Sequence, residues 1–194
     1  MRRLVRAGAI WALAAAAAPA GPAMAQHPAN AVFTAVELGA CKVMKRHPDG
    51  NAWECRGLRN HPIYLAEGDL RTFISMGPSA SKRRAASLTL RPFNTPFATR
   101  VRRFTVEWRV VPRSNPPIPY AAIVRLHTSN DAQRGQVLVV LKIGAQQTCH
   151  LAYVDALANE KAIEVARGIA DERAPTFDCK GDPIVEGKSG RSPL

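Results

Sequence analysis

The chain has 194 residues and carries 27 Lys and Arg against 15 Asp and Glu, a formal charge of +12. That length suits one domain with a real hydrophobic core. Beyond the first residues no apolar stretch reaches the roughly 18 positions a membrane-spanning helix needs, which excludes an integral helical membrane protein.

The N-terminus reads as a targeting segment. Arg2, Arg3 and Arg6 precede the short apolar run Ala7 to Ala18, and Ala23-Met24-Ala25 places small residues before Gln26. This is the layout of a secretory signal peptide over 1–25. A lipoprotein would need a cysteine directly after the cleavage site, and the first cysteine is Cys41. The expected location is therefore the periplasm or the secreted space, with no transmembrane segment after cleavage.

Residues 26–30 read as a frayed start. Phe33 to Cys41 and Trp53 to Gly57 read as strands joined by the turn-rich His47-Pro48-Asp49-Gly50-Asn51, and Ile63 to Glu67 and Leu70 to Met76 as two more around Gly68-Asp69. Pro78 near the start of good helix formers predicts a helix over 79–89 that ends before Pro92. Phe104 to Val110 alternates apolar and polar residues, as does Ala121 to Thr128, where Ile123, Arg125 and His127 share one side. Between them lie four prolines in Pro112 to Tyr120. Pairing Val111 with Ala121 would set Glu107 opposite Arg125, and pairing Ala121 with Ile143 would set His127 opposite Val137.

Gln136 to Ile143 is apolar on both faces and predicts a covered central strand, with Thr148 to Val154 as its antiparallel neighbour. A helix capped by Asp155 or Asn159 runs to about Arg173. Ala162, Ile163, Ala166, Ile169 and Ala170 form its apolar stripe, and Glu160, Lys161, Glu164, Arg167 and Asp171 its solvent side. The polar, glycine-rich segment 180–194 reads as disordered. The expected architecture is a single domain over 26–179 of the α+β class, an antiparallel sheet with about two helices packed on one face and two disulfides.

An even set of cysteines behind a signal peptide predicts disulfides. Three connectivities are open, and Cys41–Cys55 with Cys149–Cys179 is favoured because each pair brackets a compact unit. The first loop would stabilise by about 3 kcal/mol and the second by slightly more. No cysteine or histidine pair has the spacing of a structural zinc site. Cys149 and His150 would point to opposite faces of a strand, which argues against a catalytic dyad.

No catalytic, cofactor or metal residue is assigned. His27, His47 and His61 sit in turns or loops, and His127 and His150 sit on strands with no evident partner. Ser79-Ala80-Ser81-Lys82 matches S-x-x-K without the S-D-N and K-T-G elements that accompany it in serine acyltransferases. Glu67 and Asp69 flank a turn glycine. There is no phosphate-binding loop, dinucleotide fingerprint or calcium-binding loop.

Charge gives the sharper signal. From Lys82 to Arg113 there are nine basic residues (Lys82, Arg83, Arg84, Arg91, Arg100, Arg102, Arg103, Arg109 and Arg113) against one acid, Glu107. Phe93, Phe97 and Tyr120 lie in loops beside them. The expected function is a non-enzymatic binding module with a basic face for an anionic envelope component or acidic protein. Nucleic acid is disfavoured by export and by the lack of a recognised module. The alternative is a small periplasmic hydrolase whose site forms only in three dimensions.

Gly135-Gln136-Val137-Leu138-Val139-Val140, Cys149-His150-Leu151-Ala152-Tyr153-Val154-Asp155-Ala156 and Phe177-Asp178-Cys179 resemble a family of small exported proteobacterial proteins with no established activity. The resemblance implies a periplasmic location and transfers no functional residue.

Overall fold

Alternating apolar and polar residues dominate the computed structural model, which describes residues 30–98 and 100–194 and folds them into eleven strands and one α-helix. The predicted signal peptide, 1–25, lies outside the described residues. In chain order the strands are β1 (Ala31–Glu37), β2 (Lys42–Lys45), β3 (Ala52–Leu58), β4 (His61–Gly68), β5 (Arg71–Met76) and β6 (Phe93–Thr95). They continue with β7 (Arg103–Val110), β8 (Pro119–Ser129), β9 (Arg134–Ile143) and β10 (Thr148–Asp155), then helix α1 (Ala162–Arg173) and β11 (Ile184–Glu186).

Two sheets result. One has the order β1-β7-β8-β9-β10-β11, with β6 also pairing with β8, and the other has the order β2-β3-β4-β5. The α+β expectation with about two helices is overturned: the described fold is mostly β, with one α-helix beside two sheets. The segment 79–89 forms only two 3-10 turns, Ala80–Lys82 and Arg84–Ser87, after Ser79 in a left-handed conformation (φ 56°). Neither turn has an acidic residue in its first turn, and a segment this short does not hold a helix by propensity alone. The Arg83 and Arg84 side chains instead reach to carbonyls of other segments.

The sheets pack face to face. Val106, Trp108, Val124, Val139 and Leu141 of the larger sheet meet Trp53, Ile63, Leu65, Ile74 and Met76 of the smaller one. Trp108 is fully buried and its indole N–H donates to the Thr34 hydroxyl at 2.9 Å. Gly57 is required beneath it, because a Cβ there would stand 2.1 Å from the His61 carbonyl oxygen and 3.1 Å from the Trp108 ring. The opposite face of the larger sheet carries Ile123, Leu138, Val140 and Leu151, onto which α1 lays Ala162, Ala166, Ile169 and Ala170. Strand β9 is thus covered on both sides, as its composition predicts.

Both predicted disulfides are present, with Cα–Cα distances of 4.4 Å for Cys41–Cys55 and 5.7 Å for Cys149–Cys179. The strand read over 33–41 is broken by a 3-10 turn at Leu38–Ala40, so β1 joins the large sheet and β2 the small one. Cys149–Cys179 ties β10 to the segment after α1, where the Lys142 ammonium donates to the Phe177 carbonyl at 2.7 Å.

Two registers differ from expectation. Glu107 lies opposite Ile123, two residues from the expected Arg125, and His127 lies opposite Gln136, one residue from the expected Val137. A one-residue slip moves every side chain to the other face, so His127 shares the α1 side of the sheet with Gln136.

The segment 180–194 is ordered, contrary to the expected disorder. β11 runs parallel to β10, and Ser192 is buried. The Asp155 carboxylate accepts the Arg191 and Ser192 N–H groups, both at 2.8 Å, and the Ser192 hydroxyl at 2.6 Å. Burial alone would raise the Asp155 pKa, but these donors together hold it below the usual carboxylate value.

The β4–β5 hairpin turns on Asp69 and Leu70, with φ of 50° and 58°. Such a turn favours glycine or asparagine, yet Leu70 occupies it with 72% of its surface exposed. Leu70→Gly is expected to stabilise the protein by about 1 kcal/mol, which raises Tm by roughly 2–4 °C. An unchanged or lower Tm by calorimetry would contradict this account of the turn.

Candidate functional site

The nine basic residues of 82–113 do not gather on one face. Arg83 donates to the carbonyls of Pro78 (2.9 Å), Ala145 (2.8 Å) and Gln146 (2.5 Å). Arg84 donates to the carbonyls of Cys179 and Gly181 and pairs with Asp182. Arg102 stacks over Trp53 and Phe97 and pairs with Glu67. Arg103 pairs with Glu37 at 2.8 Å. Arg109 is buried, whereas Lys82, Arg91, Arg100 and Arg113 are exposed at separate points along the chain.

Arg109 belongs to a closed ion network under α1. Its guanidinium forks onto Asp171 at 2.8 and 2.7 Å, and Arg167 forks onto Glu107 at 2.8 and 2.9 Å. The Tyr120 hydroxyl donates to Asp171 at 2.6 Å, and Arg109 also approaches Glu107 at 3.4 Å. Burial would raise the Asp171 pKa, but Arg109 and Tyr120 together hold it below the usual value. Burial, then Asp171, pushes the Tyr120 hydroxyl up to about 12. Arg167 and Asp171, read from the sequence as solvent-facing, instead hold the helix to the sheet.

His150 is fully buried. Its Nδ1 lies 2.9 Å from the Tyr153 hydroxyl and its Nε2 lies 3.2 Å from the Ile74 carbonyl. With Nε2–H donating to that carbonyl and Nδ1 accepting from Tyr153, both ring nitrogens are satisfied by a neutral ring. Cys149 points the other way, into its disulfide. Ser79 precedes a 3-10 turn, Glu67 pairs with Arg102, and Asp69 pairs with Arg71. Among the described residues no group of three or more His, Cys, Asp or Glu is placed to hold a metal ion.

The feature suited to binding lies where the large sheet divides. β8 pairs with β7 as far as Val124, opposite Val106, and with β6 from His127, opposite Thr95. Between those points the two neighbouring strands part, and a groove of about 320 Å³ opens on the α1 side. Apolar side chains of Phe33, Ile123, Leu138 and Ile163 line it. Arg103, Arg125 and His127 also line it, with Glu107 at the α1 end. A second depression shares Ala98 and His127 with the first and adds Arg134 and Gln136.

The charges around this groove are unequal. Arg103 is engaged by Glu37, and both oxygens of Glu107 are engaged by arginines. Arg125 is exposed and donates to the Gln136 side-chain oxygen at 2.7 Å; among the described residues neither it nor Arg134 has an ion pair. Burial and then the Arg125 charge lower the His127 pKa, which favours the neutral imidazole. Arg125 and His127 were visible in the sequence as the polar alternation of β8, but the parting of β7 and β6 was not.

Comparison with protein-family models, curated proteins and solved structures finds nothing that matches this chain. Among the described residues no helix is long and apolar enough to cross a membrane.

Proposed function

We propose that the protein is an exported, non-enzymatic binding module of the periplasm, which holds an anionic partner at the divided edge of its larger sheet. The observation that carries this reading is the groove between β7 and β6, with an apolar lining and the uncompensated guanidinium of Arg125. Arg103, flagged by the basic run, lines the same groove while paired with Glu37. Two disulfides suit an oxidising compartment, and the N-terminal layout and family resemblance point to the same location.

The test compares two variants of equal net charge on a polyphosphate matrix. Arg103→Gln/Arg125→Gln is expected to elute at clearly lower salt than Lys82→Gln/Arg113→Gln, which removes the same charge at positions that do not line the groove. Equal shifts would reduce the binding to bulk charge and overturn the reading.

A further inference from the structure

We infer that the groove binds a single-chain alkyl carboxylate, with its chain along the apolar lining and its carboxylate on Arg125; this rests on the groove being the binding site proposed above. Ile123 and Leu138 rise from neighbouring strands of the sheet, and Ile163 of α1 faces them. The volume of about 320 Å³ lies at the lower end of small-molecule sites, roughly 300–1,000 Å³.

The electrostatics select the sign and the valence of the ligand. At the α1 end Glu107 is already neutralised by Arg167 and Arg109, so no net charge faces the chain there. At the other end Arg103 is matched by Glu37 and burial disfavours a charge on His127, which leaves Arg125 as the groove cation without an ion pair among the described residues. One uncompensated cation beside an apolar channel matches a monovalent anion carried on an apolar chain. A carboxylate accepts the two parallel N–H groups of a guanidinium, the pairing this molecule itself uses between Arg109 and Asp171.

The experiment is a calorimetric titration of the disulfide-intact protein with acetate, octanoate, decanoate and dodecanoate below their aggregation concentrations, with dodecyltrimethylammonium as the charge-reversed probe. Affinity is expected to rise about fourfold per added methylene, the equivalent of about 0.8 kcal/mol, from octanoate upward. Acetate and the cationic amphiphile are expected to bind at least about tenfold more weakly than dodecanoate. Arg125→Gln is expected to lose about tenfold or more in dodecanoate affinity, as loss of a charge-assisted hydrogen bond implies, and Arg125→Lys to recover part of it. Ile163→Asn, on the surface of α1, is expected to flatten the chain-length dependence.

Equal affinity for dodecanoate and the cationic amphiphile, or no gain from acetate to dodecanoate, would overturn the inference. If dodecanoate does not bind while polyphosphate retention still depends on Arg103 and Arg125, the alkyl ligand is wrong and the anion-binding reading stands. If retention is also indifferent to those arginines, both fall.

Discussion

Arg109→Met is expected to destabilise the protein by about 2–3 kcal/mol, measured as a drop in the urea midpoint. Arg109 has 4% of its surface exposed and is the cation that touches both acids of the network under α1. Methionine replaces its stem but not its donors. Asp171 would keep only Tyr120, and Glu107 would keep only Arg167. The cost comes from leaving Asp171, whose side chain is 39% exposed, without its guanidinium, and solvent keeps that cost below the one for a fully buried pair. It follows that Arg109→Met/Asp171→Leu should be more stable than Arg109→Met alone, since removing both charges leaves nothing stranded. A single variant within about 1 kcal/mol of wild type would show that water compensates the acids and that the network is no clamp.

Acidification from pH 6.5 to pH 4 is expected to cost about 3 kcal/mol of stability, most of it through His150. Burial pushes the His150 pKa down to about 4, against 6.5 in an unfolded chain. Between those values the unfolded state binds the proton and the folded state does not, so stability falls as pH falls through this window. Below pH 4 both states are protonated and the His150 contribution is spent. His61 and His127, also lowered chiefly by burial, act in the same direction. Asp155 and Asp171 act lower, since their depressed values matter only below the ordinary carboxylate range. Urea unfolding of wild type and His150→Gln at pH 7, 5.5 and 4 separates the contributions. The variant is less stable at pH 7 but should lose less on acidification; parallel loss in both proteins would remove His150 as the cause.

Local periodicity and covalent logic were the legible parts of this chain. The disulfides followed from cysteine count and spacing. The run of β9 followed from its doubly apolar pattern, β10 from its place as the antiparallel neighbour across the next turn, and the stripe of α1 from Ala162, Ala166 and Ile169. What failed depended on partners distant in sequence. Ser79 to Thr89 has helix-forming composition, but Arg83 and Arg84 are held by carbonyls at 145–146 and 179–181. Arg109 counted as surface charge because its partner, Asp171, lies 62 residues away. The tail after residue 180 looked featureless because its anchor, Asp155, resembles any helix-capping aspartate until Ser192 meets it. The same non-locality hid the groove, whose walls come from β7, β8, β9 and α1.

The two layers flanking β9 are unequal in ways that bear on motion. The sheet–sheet side interlocks Trp108, Ile63, Leu65 and Met76, whereas α1 seats mainly alanines, which offer little apolar area per turn. The helix is therefore held by two arginine–carboxylate pairs and by the cystine behind it as well as by its modest buried area. Opening the α1 layer is expected to cost less than opening the sandwich, which hydrogen exchange would report as separate protection of the two layers. Because Ile163 belongs to both the helix and the groove, a displacement of α1 would change the width of the groove without touching the tryptophan core.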